Sequence, residues 1–562
     1  MRLLLLLVAL SLTPDALAQV DFAIRAGGPR NDTGIGVAPD GAGGAFVTGS
    51  FTGETDLDDD GVADLSSAGI WDTYVARYDA SGALVFAVQV GGPESDFAAG
   101  VAPDGAGGAF VVGTYRGSID ADGDGAPDLS GSQSNDNSYL ARFDAAGALA
   151  FIVPVGGFGS LRAAGVTPDG SGRVYVTGDF AGSADFDGDG AADLTSAGRN
   201  DAFLARYDAT GGFDVVWRLG GTLADYGEAV APDGAGGVLM TGSFAGTVDL
   251  DGDGVADLTS NGDADLFVVR YDASGAVVFA VGAGGPSRDE GRAVAPDGTG
   301  GAFVSGAFRT RADFDGDGAD DFTATSLGDA FVARYQVDGD LAFATALRSV
   351  SATGLGLAPD GDGGVFAVGL FGATADPDGD GTPDLTSAGG SDAFLLRLGA
   401  AGEVASSRQF GGPGNDAVRA VSVDGDGRQF VVGDFRDQID LDGDGAPDLT
   451  SAGRDDAFLV RLGTSAVDAE PSAPPAGVAL SVGPNPVGTI GTVTVEVGAP
   501  VARARVTLYD ALGRRVAVVW DGPLAAGATA VRVDVSPLPA GLYMVRASTP
   551  TGFTARPISV AR

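Results

Sequence analysis

The chain has 562 residues, with 76 Asp and Glu against 33 Lys and Arg, a formal charge of −43, 94 Gly, and neither His nor Cys. That balance excludes a basic nucleic-acid groove, and the missing His and Cys exclude zinc and haem sites, Cys and Ser-His nucleophiles and disulfides. So much Gly without a collagen period reads as a turn-dense, all-β chain.

The N-terminus reads as a secretory signal over residues 1–18. Arg2 is its charged start, residues 3–12 its apolar run and Ala16-Leu17-Ala18 its cleavage site, so the mature chain is predicted to begin at Gln19. The run is too short to span a bilayer, and no later segment comes close. Without Cys there is no bacterial lipoprotein attachment.

From Gln19 to Gly463 the chain repeats. Asp-x-Asp-x-Asp-Gly-x-x-Asp begins at Asp56, Asp120, Asp185, Asp249, Asp313, Asp376 and Asp440, in steps of 64, 65, 64, 64, 63 and 64 residues. Such a period marks a supersecondary unit that buries its apolar face against its neighbours. In one unit, the acidic loop Asp185 to Asp193 is followed by strands predicted at 202–207, 213–219, 228–231 and 237–242, separated by Gly- and Asp-rich turns. Four short antiparallel strands in about 64 residues is the size of a propeller blade. Residues 20–25 form a lone strand of the second type and residues 457–462 a lone strand of the first type. Joined, they complete a blade and leave no exposed edge. The predicted body is a seven-bladed β-propeller of four-stranded blades, closed by its N- and C-terminal strands; a β-solenoid is the competing architecture. The unit at residues 341–357 lacks the usual Gly-Gly, and the first motif has Asp59 where the others have Gly.

Turn Asp residues (Asp40, Asp104, Asp169, Asp233, Asp297, Asp360, Asp424) and strand Arg residues (Arg77, Arg142, Arg206, Arg270, Arg334, Arg397, Arg461) keep the same phase. So does an Asp 16 positions after each motif start, from Asp72 and Asp136 onward. Residues repeated in every unit read as turn-forming and strand-capping groups rather than one special site.

The motif sets carboxylates at positions 1, 3, 5 and 9, with Gly at 6 for a sharp turn. The candidate ligands are Asp56, Asp58, Asp60 and Asp64; Asp120, Asp122, Asp124 and Asp128; Asp185, Asp187, Asp189 and Asp193; Asp249, Asp251, Asp253 and Asp257; Asp313, Asp315, Asp317 and Asp321; Asp376, Asp378, Asp380 and Asp384; Asp440, Asp442, Asp444 and Asp448. The carbonyl of position 7, Ala191 in the third loop, is a further expected ligand. All-oxygen donors in a bendable loop favour Ca²⁺. An EF-hand would place Glu at position 12, where the third loop has Ser196, and would flank the loop with helices. The expectation is about seven structural Ca²⁺ ions in hairpin loops. With free Ca²⁺ roughly tenfold above its dissociation constant, each site adds ~1.4 kcal/mol and seven add ~10 kcal/mol, standing in for absent disulfides.

The acidic loops resemble the calcium loops of integrin-type propeller repeats and thrombospondin type 3 repeats. The whole unit, with its DAFxxRYDASG, VAPDGxGG and DFDGDGxxDLTSAG segments, resembles the bacterial SBBP repeat family, which implies the propeller but no common activity. Residues 464–477 are a Pro/Ala linker. Residues 478–562 alternate like a small Ig-like β-sandwich, with strands predicted at 492–497, 504–509, 516–520, 530–535 and 541–547. Gly483-Pro-Asn-Pro486, Val506 to Val516 (VTLYDALGRRV) and Leu538 to Tyr543 (LPAGLY) resemble the type A sorting domain of the type IX secretion system. That resemblance implies the type IX machinery as partner and a secreted or outer-surface protein.

Three functions remain open on the sequence: a calcium-binding, non-catalytic adhesion or binding scaffold for a surface glycan or protein; a polysaccharide hydrolase or lyase; and a passive envelope protein. The near-identity of the units and the absence of a unique acid pair favour binding or structure over catalysis, and the expectation is the first. The chain is expected to be a monomer, not an enzyme, without nucleic acid and without a transmembrane segment after signal cleavage.

Overall fold

A computed structural model describes residues 19–157, 159–325, 327–463, 478–483, 489–497, 500–510, 515–536, 538, 541–549 and 552–560. The predicted signal (1–18) and linker (464–477) lie outside the described residues, as do parts of the three sorting-domain stretches (484–486, 511–514 and 539–540). Contacts divide the chain into Met1–Ser465 and Ala466–Arg562. Among the described residues every regular element is a β-strand, and no helix is long and apolar enough to cross a membrane.

In the first unit, seven groups of four antiparallel strands follow one another. The first is Asp32–Pro39, Ala45–Phe51, Asp72–Tyr78 and Leu84–Val90, hydrogen-bonded in that order. The predicted strands of the third repeat appear as Asp201–Asp208, Phe213–Leu219, Tyr226–Pro232 and Val238–Phe244. The order shows that a sheet runs from the third strand type, through the fourth and first, to the second. The last sheet joins both ends of the region: Val20–Ala26 pairs antiparallel with Leu449–Leu462, with Ile24 opposite Leu459.

The first strands of the seven sheets are Asp32–Pro39, Phe97–Pro103, Ser160–Pro168, Tyr226–Pro232, Glu290–Pro296, Ala352–Pro359 and Ala417–Val423. Each packs against the next, and the last packs against the first. Close approach requires small residues here. A Cβ on Gly356 would stand 2.9 Å from Val368 and 3.1 Å from the Ala420 backbone of the next inner strand.

The core lies between sheets, as the repeat length requires. Val75 and Val90 of the first sheet pack with Val111, Tyr115 and Tyr139 of the second and with Ile119 of its acidic-loop hairpin. Phe430 and Leu459 of the last sheet pack with Phe51 and Tyr74 of the first. Tyr74, Tyr139 and Tyr335 are fully buried, and Tyr335 donates to the Phe314 carbonyl at 3.1 Å.

The unit lacking Gly-Gly behaves differently. Leu341–Ser349 runs on until Arg348 and Ser349 pair with Asp376 and Ala375, fusing the fifth and sixth groups into one eight-stranded sheet. The second unit holds a three-stranded sheet (Val478–Gly483, Ile490–Val497, Gly527–Asp534) and a four-stranded sheet (Arg515–Leu524, Val501–Asp510, Gly541–Thr549, Gly552–Val560). Val493, Val495 and Val533 from the first and Val506, Leu508 and Val545 from the second share one core. Val478–Gly483 and Gly552–Val560 are strands additional to the five that the alternation predicts.

Candidate metal centres

Each acidic loop closes a β-hairpin. In the third, Ser183–Ala184 pairs with Leu194–Thr195 on either side of Asp185 to Asp193. An apolar residue at position 2 anchors the loop in the core: Leu57, Ala121, Phe186, Leu250, Phe314 and Leu441 are buried. Backbone N–H groups then fold the loop around its first carboxylate. Asp185 accepts from Gly188 at 2.8 Å and from Gly190 at 2.9 Å. Asp193, at position 9, accepts from Phe186 at 2.6 Å. Asp189 accepts from Ala191 at 2.7 Å. The same pattern recurs around Asp249, Asp313 and Asp440.

Position 4 demands a left-handed backbone. Gly188 has φ of 73°, and Asp59 is held at 59° in the first loop, where it pairs with Arg25. The sixth loop differs too. Pro377 has no N–H, so Asp384 lacks the donor that Phe186 supplies to Asp193. Burial and the nearby Asp378, Asp376 and Asp380 push the Asp384 carboxyl above its ordinary range.

These bonds bring three of the four predicted carboxylates together. Asp56, Asp58 and Asp64 offer oxygens within 4.8 Å of one another, as do Asp120, Asp122 and Asp128; Asp185, Asp187 and Asp193; Asp249, Asp251 and Asp257; and Asp313, Asp315 and Asp321. The fifth-position aspartates, Asp60, Asp124, Asp189, Asp253 and Asp317, stand outside these groups, and one oxygen of each accepts the N–H two residues on. Ser196 is no ligand substitute: its hydroxyl accepts from Gly182 across the hairpin at 3.0 Å. A set of hard, anionic oxygens fits a divalent cation. Burial and repulsion from Asp64 and Asp60 raise the Asp58 carboxyl, a repulsion that a bound cation would relieve.

The loops are fastened to the preceding sheet. The N–H of Asp120 donates to the Gly91 carbonyl at 3.0 Å, and Gly91 returns the bond at 3.4 Å. Gly27 with Asp56, Gly284 with Asp313 and Gly411 with Asp440 repeat it. Beside each such contact lies a carboxyl that the sequence reading did not single out. Asp32, Asp96, Asp225, Asp289 and Asp416 are buried and accept the N–H of Gly28, Gly92, Gly221, Gly285 and Gly412 at 2.7–2.8 Å. Burial pushes Asp32, Asp96, Asp289 and Asp416 up to about 7 and Asp225 to about 6. A second buried carboxyl of the neighbouring sheet (Asp72 beside Asp96, Asp265 beside Asp289) adds to the rise. The signal was present as Asp four residues after the second Gly of Gly-Gly.

The other phased landmarks are structural. Arg77 pairs with Asp40 at 2.9 Å and Arg270 with Asp233 at 2.9 Å, whereas Arg206 pairs with Asp214. Asp72, Asp201, Asp265 and Asp456 cap the loop that follows the motif. In the second repeat that role falls to Asn137, not Asp136, because this unit carries the extra residue. Asp136 is a surface partner of Arg116. A cavity of about 600 Å³ is lined by all seven inner strands.

Residues 481–560 match the family model described as the secretion system C-terminal sorting domain. The chain therefore carries a type IX sorting domain, which directs it to the cell surface or outside. No curated protein matches. Solved structures with some likeness include PorZ, a surface component of the type IX secretion system of Porphyromonas gingivalis, at 12% identity over 95% of this chain and 74% of that chain, with a TM-score of 0.22. Dimeric latent PorU from the same organism matches at 13% identity over 66% of this chain and 32% of that one, with a TM-score of 0.14. A puromycin hydrolase matches at 15% over 75% of this chain and 61% of that one, with a TM-score of 0.28. Superpositions this loose carry no argument about function.

Proposed function

We propose that the protein is a secreted or surface-displayed, calcium-locked seven-bladed β-propeller, followed by an Ig-like sorting domain and exported by type IX secretion after removal of its N-terminal signal. In this reading it acts as a non-catalytic binding or adhesion scaffold. The observation that carries it is the recurrence of one loop in which the carboxylates of positions 1, 3 and 9 converge while the backbone of position 1 bonds the preceding sheet. A cation there would hold a loop and a junction at once. The closed cycle of inner strands and the last sheet shared by both ends support the propeller. The two sheets around one core support the Ig-like reading of the sorting domain.

The test is calcium titration with a thermal melt of residues 19–464, with Ca²⁺ and with a chelator. About seven ions per chain and a large loss of melting temperature on chelation are expected. No bound ions and no shift would overturn the metal assignment.

A further inference from the structure

The seven inner strands are nearly interchangeable except where they bulge. Each breaks register with its neighbour at one residue: Ile35, Ala99, Ala164, Glu228, Arg292, Leu355 and Arg419. A bulge re-aims the extra side chain, and all seven line the central cavity. Small or apolar residues follow in every strand. The repeat thus keeps its framework and varies its cavity lining.

The variation is lopsided. Ile35, Ala99 and Ala164, from three consecutive strands, carry no charge. Arg292, Leu355 and Arg419 come from three other consecutive strands and put two guanidinium groups around one apolar side chain. Glu228 does not offset them, because Arg162 already holds it at 3.1 Å while also bonding Asp179 at 2.8 Å. Arg292 shares a single carboxylate, Glu290, with Arg288. Arg419 bonds Asp434 at 2.5 Å through one nitrogen. Both guanidinium-bearing side chains remain 39% exposed. In a chain of net charge −43, two guanidinium groups that stay exposed despite these ion pairs and line one central cavity are a recognition feature.

We propose that the central cavity binds a small organic carboxylate, free or as the terminal acid of a glycan, with its anion on Arg292 and Arg419 and its apolar flank on Leu355 and the Ile35–Ala99–Ala164 wall. This rests on the reading of the chain as a binding scaffold and supplies the chemistry of its ligand. Guanidinium recognises carboxylate through paired donors, and the apolar wall discriminates against bare inorganic anions.

The experiment is isothermal titration of the calcium-loaded full chain with hexanoate and with D-galacturonate, using hexanol and D-galactose as uncharged controls. Saturable one-to-one binding of at least one acid, without binding of its uncharged counterpart, is expected. Arg292→Gln and Arg419→Gln should each weaken it on the order of tenfold, and Ala99→Trp should weaken it by crowding the apolar wall. Calcium stoichiometry is read on every variant, so a misfolded protein is recognised. Binding of the free acid alone or of the sugar acid alone names the source. If neither acid binds, or binding survives in the double arginine variant while calcium is still bound, this inference is overturned and the scaffold reading stands. Absence of calcium binding in the parent protein would instead overturn the metal assignment, independently of the acid titration.

Discussion

The junction between the second and first sheets and the junction between the sixth and fifth solve one problem in two ways. At the former, Leu84–Val90 is followed by Gly91-Gly92, and the Gly92 N–H is taken at 2.7 Å by Asp96, just ahead of the next inner strand. At the latter, Ser349 replaces that Gly, its N–H goes to Asp329 of its own sheet at 3.1 Å, and Ala352 stands where Asp96 would. The strand then continues into two backbone pairs with the next sheet. One junction spends a second buried carboxyl and stays a point contact; the other omits the carboxyl and extends the ladder. A repeat protein can therefore exchange a side-chain clasp for backbone pairing without losing its period.

Withdrawing calcium should separate the two junctions most. Chelation should cost on the order of 10 kcal/mol over seven sites, and hydrogen exchange should show the Gly91, Gly284 and Gly411 amides losing protection before the Arg348–Ser349 ladder does. Uniform loss would mean that the loops do not brace the junctions individually. Next, Gly92→Ala would set a Cβ 1.8 Å from the Ser118 carbonyl oxygen. It should cost about 3 kcal/mol, whereas Ser349→Gly should cost under about 1 kcal/mol, both read as urea midpoints at fixed calcium.

Asp289→Asn tests the clasp through pH. A carboxyl whose folded pKa is raised binds its proton more tightly in the folded state. Its contribution is full below the ordinary value of 3.8 and is lost as pH rises through about 7. Chelated protein should thus melt higher at pH 5.5 than at pH 8, and Asp289→Asn should flatten part of that slope. Calcium-loaded protein should trend the other way, since acid protonates the loop carboxylates. The smallest effect is expected for Asp59→Gly. Relief of the left-handed backbone and loss of the Arg25 pair should nearly cancel, leaving a change within about 0.5 kcal/mol by thermal melt.

The period, the strand types and the first, third and ninth loop positions were legible because each is a local pattern of turn Gly, alternating side chains and carboxylate spacing. Asp185, Asp187 and Asp193 meet because Gly188 and Gly190 bend the loop, and both are visible in the sequence. Less was legible where sheets meet. Asp96 looks like any surface acid until Gly92 of the preceding sheet is placed against it. Nor could the cavity lining be read. Arg292 and Arg419 are ordinary strand residues until the strand order makes theirs the inner strands and the bulges turn them inward. The fifth-position aspartates have the spacing of ligands, and that spacing alone does not reveal that one oxygen of Asp189 accepts the Ala191 amide.

The strand that leads into the tail, Leu449–Leu462, lies between Gln429–Ile439 and Val20–Ala26 and is paired on both sides. If the tail anchors the protein while the body grips a ligand, tension enters through Leu462. It must shear two ladders together rather than peel an edge strand bond by bond. The chain's first strand thus becomes a mechanical lock on its point of suspension, and deleting residues 20–26 should lower rupture force even where binding is untouched.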